Sequence, residues 1–347
     1  KKTKAVMHNS PGLLALKYSL LTLIIAVIMY FGKTLFIPLF FGLLIAMIMH
    51  PISKWFEYRG WNKSLAIAAC ILIVTVLIAL LLALLIWQLN VFSNDTPVIM
   101  RMIKETSKHL NTWLLDNLGI TAATLNNWTD KLAGTFGSKL SSTIQVISNT
   151  LFICLLIPIF TALIMNQRKI FVQFLKSIVP ERHRQNLDKI LLITIHTYFN
   201  YIKGMIMVYI IVGILNSIGL LALGVKHAIL YGMLCAVMTI IPYIGITISA
   251  LLPISVIWMQ TGSFWYPLGV IAIFSFVQYL EANVIFPKVV GRQLEVSTLA
   301  MLVSIILGGI IWGVAGMVLF IPFVAIAKIV SDHIEEWKPI NLLLSRK

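Results

Sequence analysis

The feature that most constrains this chain is a series of long stretches that carry almost no charge. Residues 65–89 and 144–165 contain no Asp, Glu, Lys or Arg, and residues 13–31 contain a single lysine. Each stretch has about the 20 residues that an α-helix needs to cross the roughly 30 Å hydrocarbon core of a bilayer. A spanning segment must satisfy its own backbone hydrogen bonds, which favours helices. The sequence therefore predicts an all-α polytopic membrane protein.

The charge of the chain fits a membrane protein better than a nucleic-acid-binding one. Hydrophobic residues make up 59% of the chain and charged residues 11%, and the formal net charge is +15. The basic residues lie in short clusters between the apolar stretches, at 54–63 and 168–189. This distribution is typical of the cytoplasmic loops of membrane proteins. We therefore expect membrane lipid, and no nucleic acid, among the partners.

The order of apolar and polar stretches divides the chain into five regions, with both termini expected in the cytoplasm. In the first region, Gly32, Lys33 and Thr34 are expected to form a turn between two spans. A break is expected at Pro180 in the amphipathic part of the third region. The regions are 1–89, three N-terminal membrane segments that act as a scaffold; 90–143, an external amphipathic helical segment suited to oligomer contacts; 144–197, a fourth span and a cytoplasmic amphipathic segment; 198–330, a transport region; and 331–347, a cytoplasmic tail.

Two apolar stretches in the region 198–330 are longer than one crossing requires. Residues 228–259 are interrupted by Pro242 and Gly245, and residues 296–330 by four glycines. Each stretch is either one overlong helix or a re-entrant hairpin of two shorter helices. The hairpin alternative brings Lys288 to the cytoplasmic side, as the positive-inside rule favours. A span followed by a broken hairpin then occurs twice with opposite orientation, which predicts an inverted repeat. The four glycines are Gly308, Gly309, Gly313 and Gly316.

Glu281 is the one acidic residue well inside an apolar stretch, at 264–287. A carboxylate at membrane depth costs roughly 3 kcal/mol, so such a residue is a functional candidate. Gln278 shares a helix face with Glu281, whereas Asn283 is turned about 160° away unless the helix distorts before Pro287. Glu281 could bind a proton, a monovalent cation or a solute hydroxyl. Alternatively, it could accept backbone N–H groups and lock the two hairpins together.

The breaks in the two long stretches have the residues that turns require. Pro242 has no N–H to donate, Gly245 can adopt a positive φ, and Tyr243 would place a hydroxyl at the tip of the first hairpin. In the second stretch, Gly309, Gly313 and Gly316, with Gly308 beside them, permit close helix contact, and the GxxxG motif from Gly309 to Gly313 is weak evidence by itself. Pro322 is expected to bend the last arm.

Signatures of enzymes and metal sites are absent from the sequence. Gly32, Lys33 and Thr34 mimic the end of a phosphate-binding loop, but Val27 occupies the position of its first glycine. No HExxH motif occurs, and no CxxC spacing suggests a metal. We therefore expect no enzymatic activity, no ATP hydrolysis, no metal and no cofactor, apart from coupling to H⁺ or Na⁺.

Three motifs in the second half resemble the autoinducer-2 exporter family, also described as PerM-type transport proteins. They are IIPYIG from residue 240, YLEANVIFPKVVGRQLEV from residue 279 and LGGIIWGVAGMVLFIPFVAI from residue 307. Glu281, Asn283 and Pro287 match the acid, amide and proline of the family, and Pro242, Tyr243 and Gly245 match its first hairpin turn. The resemblance implies about eight membrane segments, a homo-oligomer such as a pentamer in the bacterial cytoplasmic membrane, and movement of small solutes without ATP.

These observations predict a secondary transporter of elevator or gated-hairpin type for a small polar solute. The family resemblance suggests export of autoinducer-2 or a related metabolite. An alternative is a Na⁺(Li⁺)/H⁺ antiporter that uses Glu281. An alternative from a different class is a membrane scaffold or regulatory protein that carries no flux.

Overall fold

The structure is a computed structural model that describes residues 11–83, 86–87, 153–242, 244–291 and 294–346. These residues are helical almost throughout, which confirms the all-α prediction. The helix α9 contains a π-helical turn at Glu281–Ile285. The helices are α1 (Pro11–Phe31), α2 (Lys33–Tyr58), α3 (Lys63–Ala83), α4 (Ile153–Asn166), α5 (Arg168–Ile178), α6 (Glu181–Ala222), α7 (Ala228–Met238), α8 (Ile244–Thr261), α9 (Trp265–Val289), α10 (Thr298–Trp312), α11 (Val314–His333) and α12 (Lys338–Leu344).

Five of the described helices are long and apolar enough to cross a membrane, namely α2, α3, α6, α9 and α11. A sixth candidate is α4 together with α5, which are bent by 71° at their junction. Apolar side chains such as Leu72, Ile210 and Ile306 point outward and are exposed, as lipid contact requires. The chain is therefore a multi-pass membrane protein. The predicted external segment 90–143 lies outside the described residues.

The described helices of the first half meet at short breaks. Between α1 and α2 the interruption is the single residue Gly32, and Lys33 already begins α2, so the predicted three-residue turn is shorter than expected. The break at Pro180 is present between α5 and α6. After it, α6 continues for 42 residues without interruption. The expected boundary at residues 197 and 198 therefore falls inside one continuous helix, because no proline interrupts its hydrogen bonds there.

The stretch 228–259 folds back on itself, as the hairpin alternative predicted. The chain turns at Gly224, whose φ of 74° suits glycine, and α7 packs antiparallel to α6. Ser217 Oγ of α6 lies 3.3 Å from the carbonyl oxygen of Ile229. The chain then reverses between α7 and α8, and the backbone N–H of Lys226 donates to Gln260 Oε1 at 3.3 Å. This first hairpin, α7 and α8, thus begins and ends at the C-terminal end of α6.

Gly245 is required in the first hairpin for a reason other than the predicted one. Its φ lies outside the left-handed region, so the expectation of a positive φ was wrong. A Cβ atom at this position would instead collide with the carbonyl group of Met238, which ends α7. The glycine therefore allows α8 to start directly against the end of α7. Pro242 lies half-buried in the bend between them, and Tyr243 lies outside the described residues.

The stretch 296–330 forms a second hairpin, made of α10 and α11. Gly313 joins the two helices with a φ of 62°, a conformation that favours glycine. Gly308 and Gly316 pack backbone against backbone across the hairpin, whereas Gly309 faces the side chain of Met317. Among the glycines expected to permit close helix contact, the pair that makes it is therefore Gly308 with Gly316, and not the GxxxG pair of Gly309 and Gly313. Pro322 is buried inside α11.

The two hairpins approach α6 from opposite ends. The second hairpin begins and ends near the N-terminal half of α6, where Asn186 Nδ2 lies 3.5 Å from the carbonyl oxygen of His333. Its first and last parts are joined by an ion pair between Lys328 and Glu295. Opposite entry is the placement that an inverted repeat requires. The repeat itself stays a prediction.

We predict that Gly308 and Gly309 of α10 differ sharply in their tolerance of a side chain. Gly308→Ala should destabilise the protein by about 1–3 kcal/mol, because the new methyl group meets the Gly316 backbone, which cannot move away cheaply. Gly309→Ala is the matched control, since its methyl group meets only the flexible side chain of Met317. Thermal unfolding of detergent-solubilised protein, followed by tryptophan fluorescence, measures both. Equal melting temperatures would contradict the close Gly308–Gly316 contact.

Candidate functional site

Glu281 opens a π-helical turn in the middle of a spanning helix. The turn covers Glu281–Ile285, and the backbone N–H of Phe286 donates to the carbonyl oxygen of Glu281, five residues earlier. The cause lies in the sequence, because Pro287 has no N–H and its ring would collide with the carbonyl of Asn283 in a regular α-helix. A wider turn relieves that collision, and such turns occur frequently at functional sites. The distortion that the sequence allowed before Pro287 is therefore present.

Asn283 is placed away from Glu281 and has a local role. Its side chain is exposed, and Nδ2 donates to the backbone carbonyl oxygen of Tyr279 at 2.9 Å. A π turn disturbs the regular pairing of carbonyl groups, so a side-chain donor here stabilises the turn. The structure thus separates Asn283 from the Glu281 carboxylate. Pro287 is likewise exposed and acts through the backbone.

Gln278 and Glu281 lie together on one face of α9, as their spacing predicted. Both side chains are half-buried, and Gln278 is the side chain that interacts with the carboxylate. Glu281 Oε2 and Gln278 Oε1 are both buried, and neither has a hydrogen-bond partner among the described residues. A buried acceptor without a partner costs about 1–3 kcal/mol. Two such oxygens side by side can bind a proton, a monovalent cation or the hydroxyl group of a solute.

The turn of the first hairpin, between α7 and α8, lies at the same level of α9 as Glu281. One buried cluster joins Ala236 near the end of α7 to α6 and to α9, where Val277 and Ile285 flank Glu281 in sequence. Tyr209 of α6 is within electrostatic reach of the carboxylate. A hairpin turn, a distorted helix and an unpartnered carboxylate oxygen therefore meet here. Among the described residues, no backbone N–H is observed to donate to the side-chain carboxylate of Glu281, so the contacts that the locking alternative needs are not observed there.

The glycines of the second hairpin belong to a different part of the molecule. Trp312, at the end of α10, packs with α2, and its Nε1 donates to the carbonyl oxygen of Met29 at 2.9 Å. The same cluster includes Leu319 of α11 and Tyr198 of α6. Gly308, Gly309, Gly313, Gly316 and Pro322 thus shape this hairpin and its contact with α1 and α2, without a described contact to Glu281.

Sequence reasoning missed two polar residues in the spanning helices. Asn216 is completely buried in α6, and neither polar atom of its side chain has a partner among the described residues. The side chain of Lys328 in α11 is 10% exposed, and its Nζ lies 2.8 Å from Asp332 Oδ2 and 3.1 Å from Glu295 Oε2. The sequence signal that could have identified them is a lone amide in one apolar run and a lone lysine in another. The pairing of Lys328 with Asp332 four residues later also follows helical spacing.

The geometry and the comparisons with known proteins agree on the class. Several apolar spanning helices, folded-back hairpins and an acid buried in a span characterise membrane transport proteins. The chain belongs to the family described as "AI-2E family transporter", whose profile matches residues 20–336. This match confirms the resemblance that the three sequence motifs indicated.

Curated relatives extend over most of the chain. "AI-2 transport protein TqsA" of Escherichia coli (strain K12) is 26% identical over 324 residues, which cover 91% of this chain and 90% of the relative. "Putative transport protein YrrI" of Bacillus subtilis (strain 168) is 24% identical over 310 residues, 87% of each chain. YueF of the same organism is 24% identical over 311 residues, 86% of this chain and 84% of the relative. The similarity therefore includes both halves of the protein.

We predict that the two charged residues buried in α9 and α11 differ in their effect on stability. Glu281→Gln should change the free energy of unfolding by less than about 0.5 kcal/mol, because the lost carboxylate oxygen has no partner. Lys328→Met should lower the free energy of unfolding by about 2–3 kcal/mol, because it removes the charged partner of two carboxylates, which are themselves partly exposed. Denaturant or thermal unfolding in detergent measures both. A large loss for Glu281→Gln would favour the locking role.

Proposed function

We propose that this protein is a secondary transporter that moves a small polar solute across the cytoplasmic membrane without ATP. The observation that carries the proposal is the pair of buried, unpartnered oxygens, Glu281 Oε2 and Gln278 Oε1, at a π-helical turn of a spanning helix. Polar groups without partners are expensive in a membrane and are retained there for function. A solute hydroxyl or a cation that reaches them gains the hydrogen bonds that the protein leaves unmade.

The arrangement of the hairpins supports movement of the second half against the first. The first hairpin packs near Glu281 from one end of α6, and the second hairpin approaches from the other end. Alternating access in transporters with such hairpins is a rigid-body or gating movement around a fixed site. In the proposal, α7 to α11 carry or gate the solute, while α1 to α4 and the segment 90–143 form the scaffold and the oligomer contacts. A pentamer is the assembly that the family resemblance suggests.

Glu281 provides a physical basis for coupling to an ion gradient. The carboxylate cannot bind a proton and a monovalent cation at the same oxygen, so the two compete. A solute hydroxyl donates a stronger hydrogen bond to the ionised carboxylate than to the protonated acid. Binding of the solute is then linked to release of a proton, and a proton gradient drives the solute. The same competition with Na⁺ or Li⁺ would produce antiport, which the experiment below distinguishes.

Autoinducer-2 or a related metabolite is the proposed solute, exported from the cell. The support is the name of the relative TqsA, at 26% identity. The clusters of Lys and Arg at the N-terminal end of α6 and in α5 support a cytoplasmic position for that end of the molecule. The C-terminal residues 335–346 lie at the same end, because Glu336 forms an ion pair with Arg182. Both termini are therefore proposed to be cytoplasmic.

We predict that Glu281→Gln abolishes the pH dependence of transport. Purified protein is reconstituted into liposomes, and uptake of autoinducer-2 is measured with and without a pH gradient and with and without a Na⁺ gradient. The wild type should respond to the gradient by about tenfold or more, a coupling of ordinary size. Glu281→Gln should remove that response, whereas Glu335→Gln, an exposed acid outside the spans, should keep it.

Each outcome of this experiment assigns a class. A pH response that persists in Glu281→Gln would contradict coupling through this carboxylate. Exchange of Na⁺ or Li⁺ for protons with no solute uptake would identify an antiporter. A complete absence of flux with every solute and ion would favour a scaffold, and the cellular phenotype should then follow deletion of residues 97–140 instead.

A further inference from the structure

A cavity of about 580 Å³ lies at the N-terminal half of α6, between α6, the end of α9 and the second hairpin. Its apolar wall includes Phe286, Leu294 and Met301, and Phe286 directly follows the π turn that begins at Glu281. A neighbouring cavity of about 410 Å³ shares Leu294, Glu295 and Lys328 with it. Volumes of this size are typical of binding sites for small molecules. The space therefore leads from the proposed cytoplasmic end towards the Glu281 site.

The polar lining of the cavity is rich in hydrogen-bonding groups but balanced in charge. Tyr201 and Thr298 contribute hydroxyl groups. Over the described lining of the two cavities together, Lys328 and Arg346 contribute positive charges, and Glu295, which lines both cavities, and Asp332, which lines the neighbouring one, contribute negative charges. Because Lys328 is already paired with both carboxylates, neither an anion nor a cation is favoured by a net charge. Donors and acceptors beside an apolar wall fit a neutral solute with several hydroxyl groups and a carbon face.

The C-terminal segment, residues 338–346, closes one side of this cavity. Ser345 and Arg346 line it directly. The backbone N–H of Ser297 donates to the Leu344 carbonyl at 2.7 Å, and the N–H of Arg346 donates to the Glu295 carbonyl at 3.2 Å. These bonds pair the segment with the start of the second hairpin through an isolated β-bridge between Val296 and Ser345.

The attachment of the C-terminal segment is polar, and this makes it releasable. Asn341 Nδ2 donates to Ser331 Oγ at 3.1 Å and to Asp332 Oδ1 at 2.5 Å, which fastens the segment to α11. Two of its three leucines contribute little burial, since Leu342 is 67% and Leu343 69% exposed, and only Leu344 packs, half-buried, against the cluster of Val296 and Ala325. A segment with few buried apolar contacts opens at a low free energy relative to the rest of the fold. Asp332 also contacts Lys328, so the fastening and the cavity share one residue.

We propose that this cavity is an inner binding site for a small, neutral, polyhydroxylated solute and that the C-terminal segment is its lid. The proposal rests on the transport function proposed above and adds an entry site to it. Tyr201 and Thr298 offer the polar contacts, Phe286 and Met301 the apolar wall, and Asn341 holds the lid closed. Opening of the lid admits the solute to the cavity, from which the Glu281 region is reached along α9.

The lid is tested by the accessibility of a cysteine placed beneath it. Val296→Cys introduces a thiol of similar size at a cavity position that is 8% exposed. Its rate of reaction with a membrane-impermeant maleimide is measured in the full-length protein, in Asn341→Asp and after removal of residues 338–347. Asn341→Asp keeps the shape of the side chain but places a carboxylate against Asp332. The rate should rise about fivefold or more in both, as expected when a hydrogen bond of ordinary strength is lost.

A matched variant on the same segment controls for general loosening. Lys338→Ala removes only an exposed ion pair with Glu335 and should leave the rate unchanged. If the shortened protein fails to fold, Asn341→Asp still decides the question. Unchanged labelling in Asn341→Asp, or an equal increase in Lys338→Ala, would overturn the lid. This readout requires no transport, so its result is independent of the proposed function.

The solute class is tested by protection of the same cysteine in the Asn341→Asp, Val296→Cys protein. D-sorbitol, D-gluconate and D-glucosamine share a six-carbon chain and differ in charge, and they are compared at equal osmolality. Sorbitol should slow labelling, whereas the charged compounds should not. A cysteine at the exposed position Ser177 on α5 is the control and should be unaffected by all three. Glycerol and ribitol extend the neutral series to smaller sizes.

The outcomes separate the inner site from the function. Protection by gluconate or glucosamine equal to that by sorbitol would overturn the solute class. An absence of protection by every neutral polyol would overturn the binding site, even if flux through the wild type is measured. Conversely, protection by sorbitol in the absence of any measurable flux would support the inner site and contradict the transport proposal.

Discussion

Backbone hydrogen bonding inside a bilayer is the constraint on which the rest of this structure depends. In hydrocarbon every N–H and C=O group must find a partner, so the described chain is built of helices, and each departure from a regular helix needs compensation. At the reversals of the chain, glycines allow the backbones to come close together. Gly245 lies against the Met238 carbonyl, and Gly308 contacts Gly316. The π turn before Pro287 is compensated by Asn283, whose amide donates to the Tyr279 carbonyl.

The charged groups Lys328 and Glu281 differ in how the structure compensates the free-energy cost of placing a charge in a spanning helix. Lys328 is fully paired, with carboxylate oxygens at 2.8 and 3.1 Å, and joins the start and the end of the second hairpin. Glu281 keeps one buried oxygen without a partner beside an equally unpartnered oxygen of Gln278. A satisfied charge stabilises an arrangement, whereas an unsatisfied one leaves binding free energy for another molecule. This contrast is why the proposed transport site is placed at Glu281, whereas the Lys328 ion pairs hold together the wall of the proposed entry cavity.

Much of the fold could be predicted from local sequence. The spans followed from runs without charge, the break before α6 from Pro180, and the distortion of α9 from Pro287. The error at Gly245 concerns a glycine, for which sequence shows that freedom exists but not how it is used. Gly245 serves close approach to the Met238 carbonyl rather than a positive φ. That contact depends on how the start of α8 meets the end of α7, which the sequence pattern does not contain.

The sequence by itself determined the membrane class, the family, the positions of the hairpin breaks and the placement of Glu281 and Gln278 on one helix face. These depend on composition, motifs and spacing within one helix, which are local properties. The tertiary structure alone decided that the turn of the first hairpin lies near Glu281, that Lys328 pairs with Glu295, 33 residues away, and that the C-terminal segment bonds to Ser297. Such contacts depend on how separate helices pack, and a sequence pattern does not specify the distances between residues on different helices.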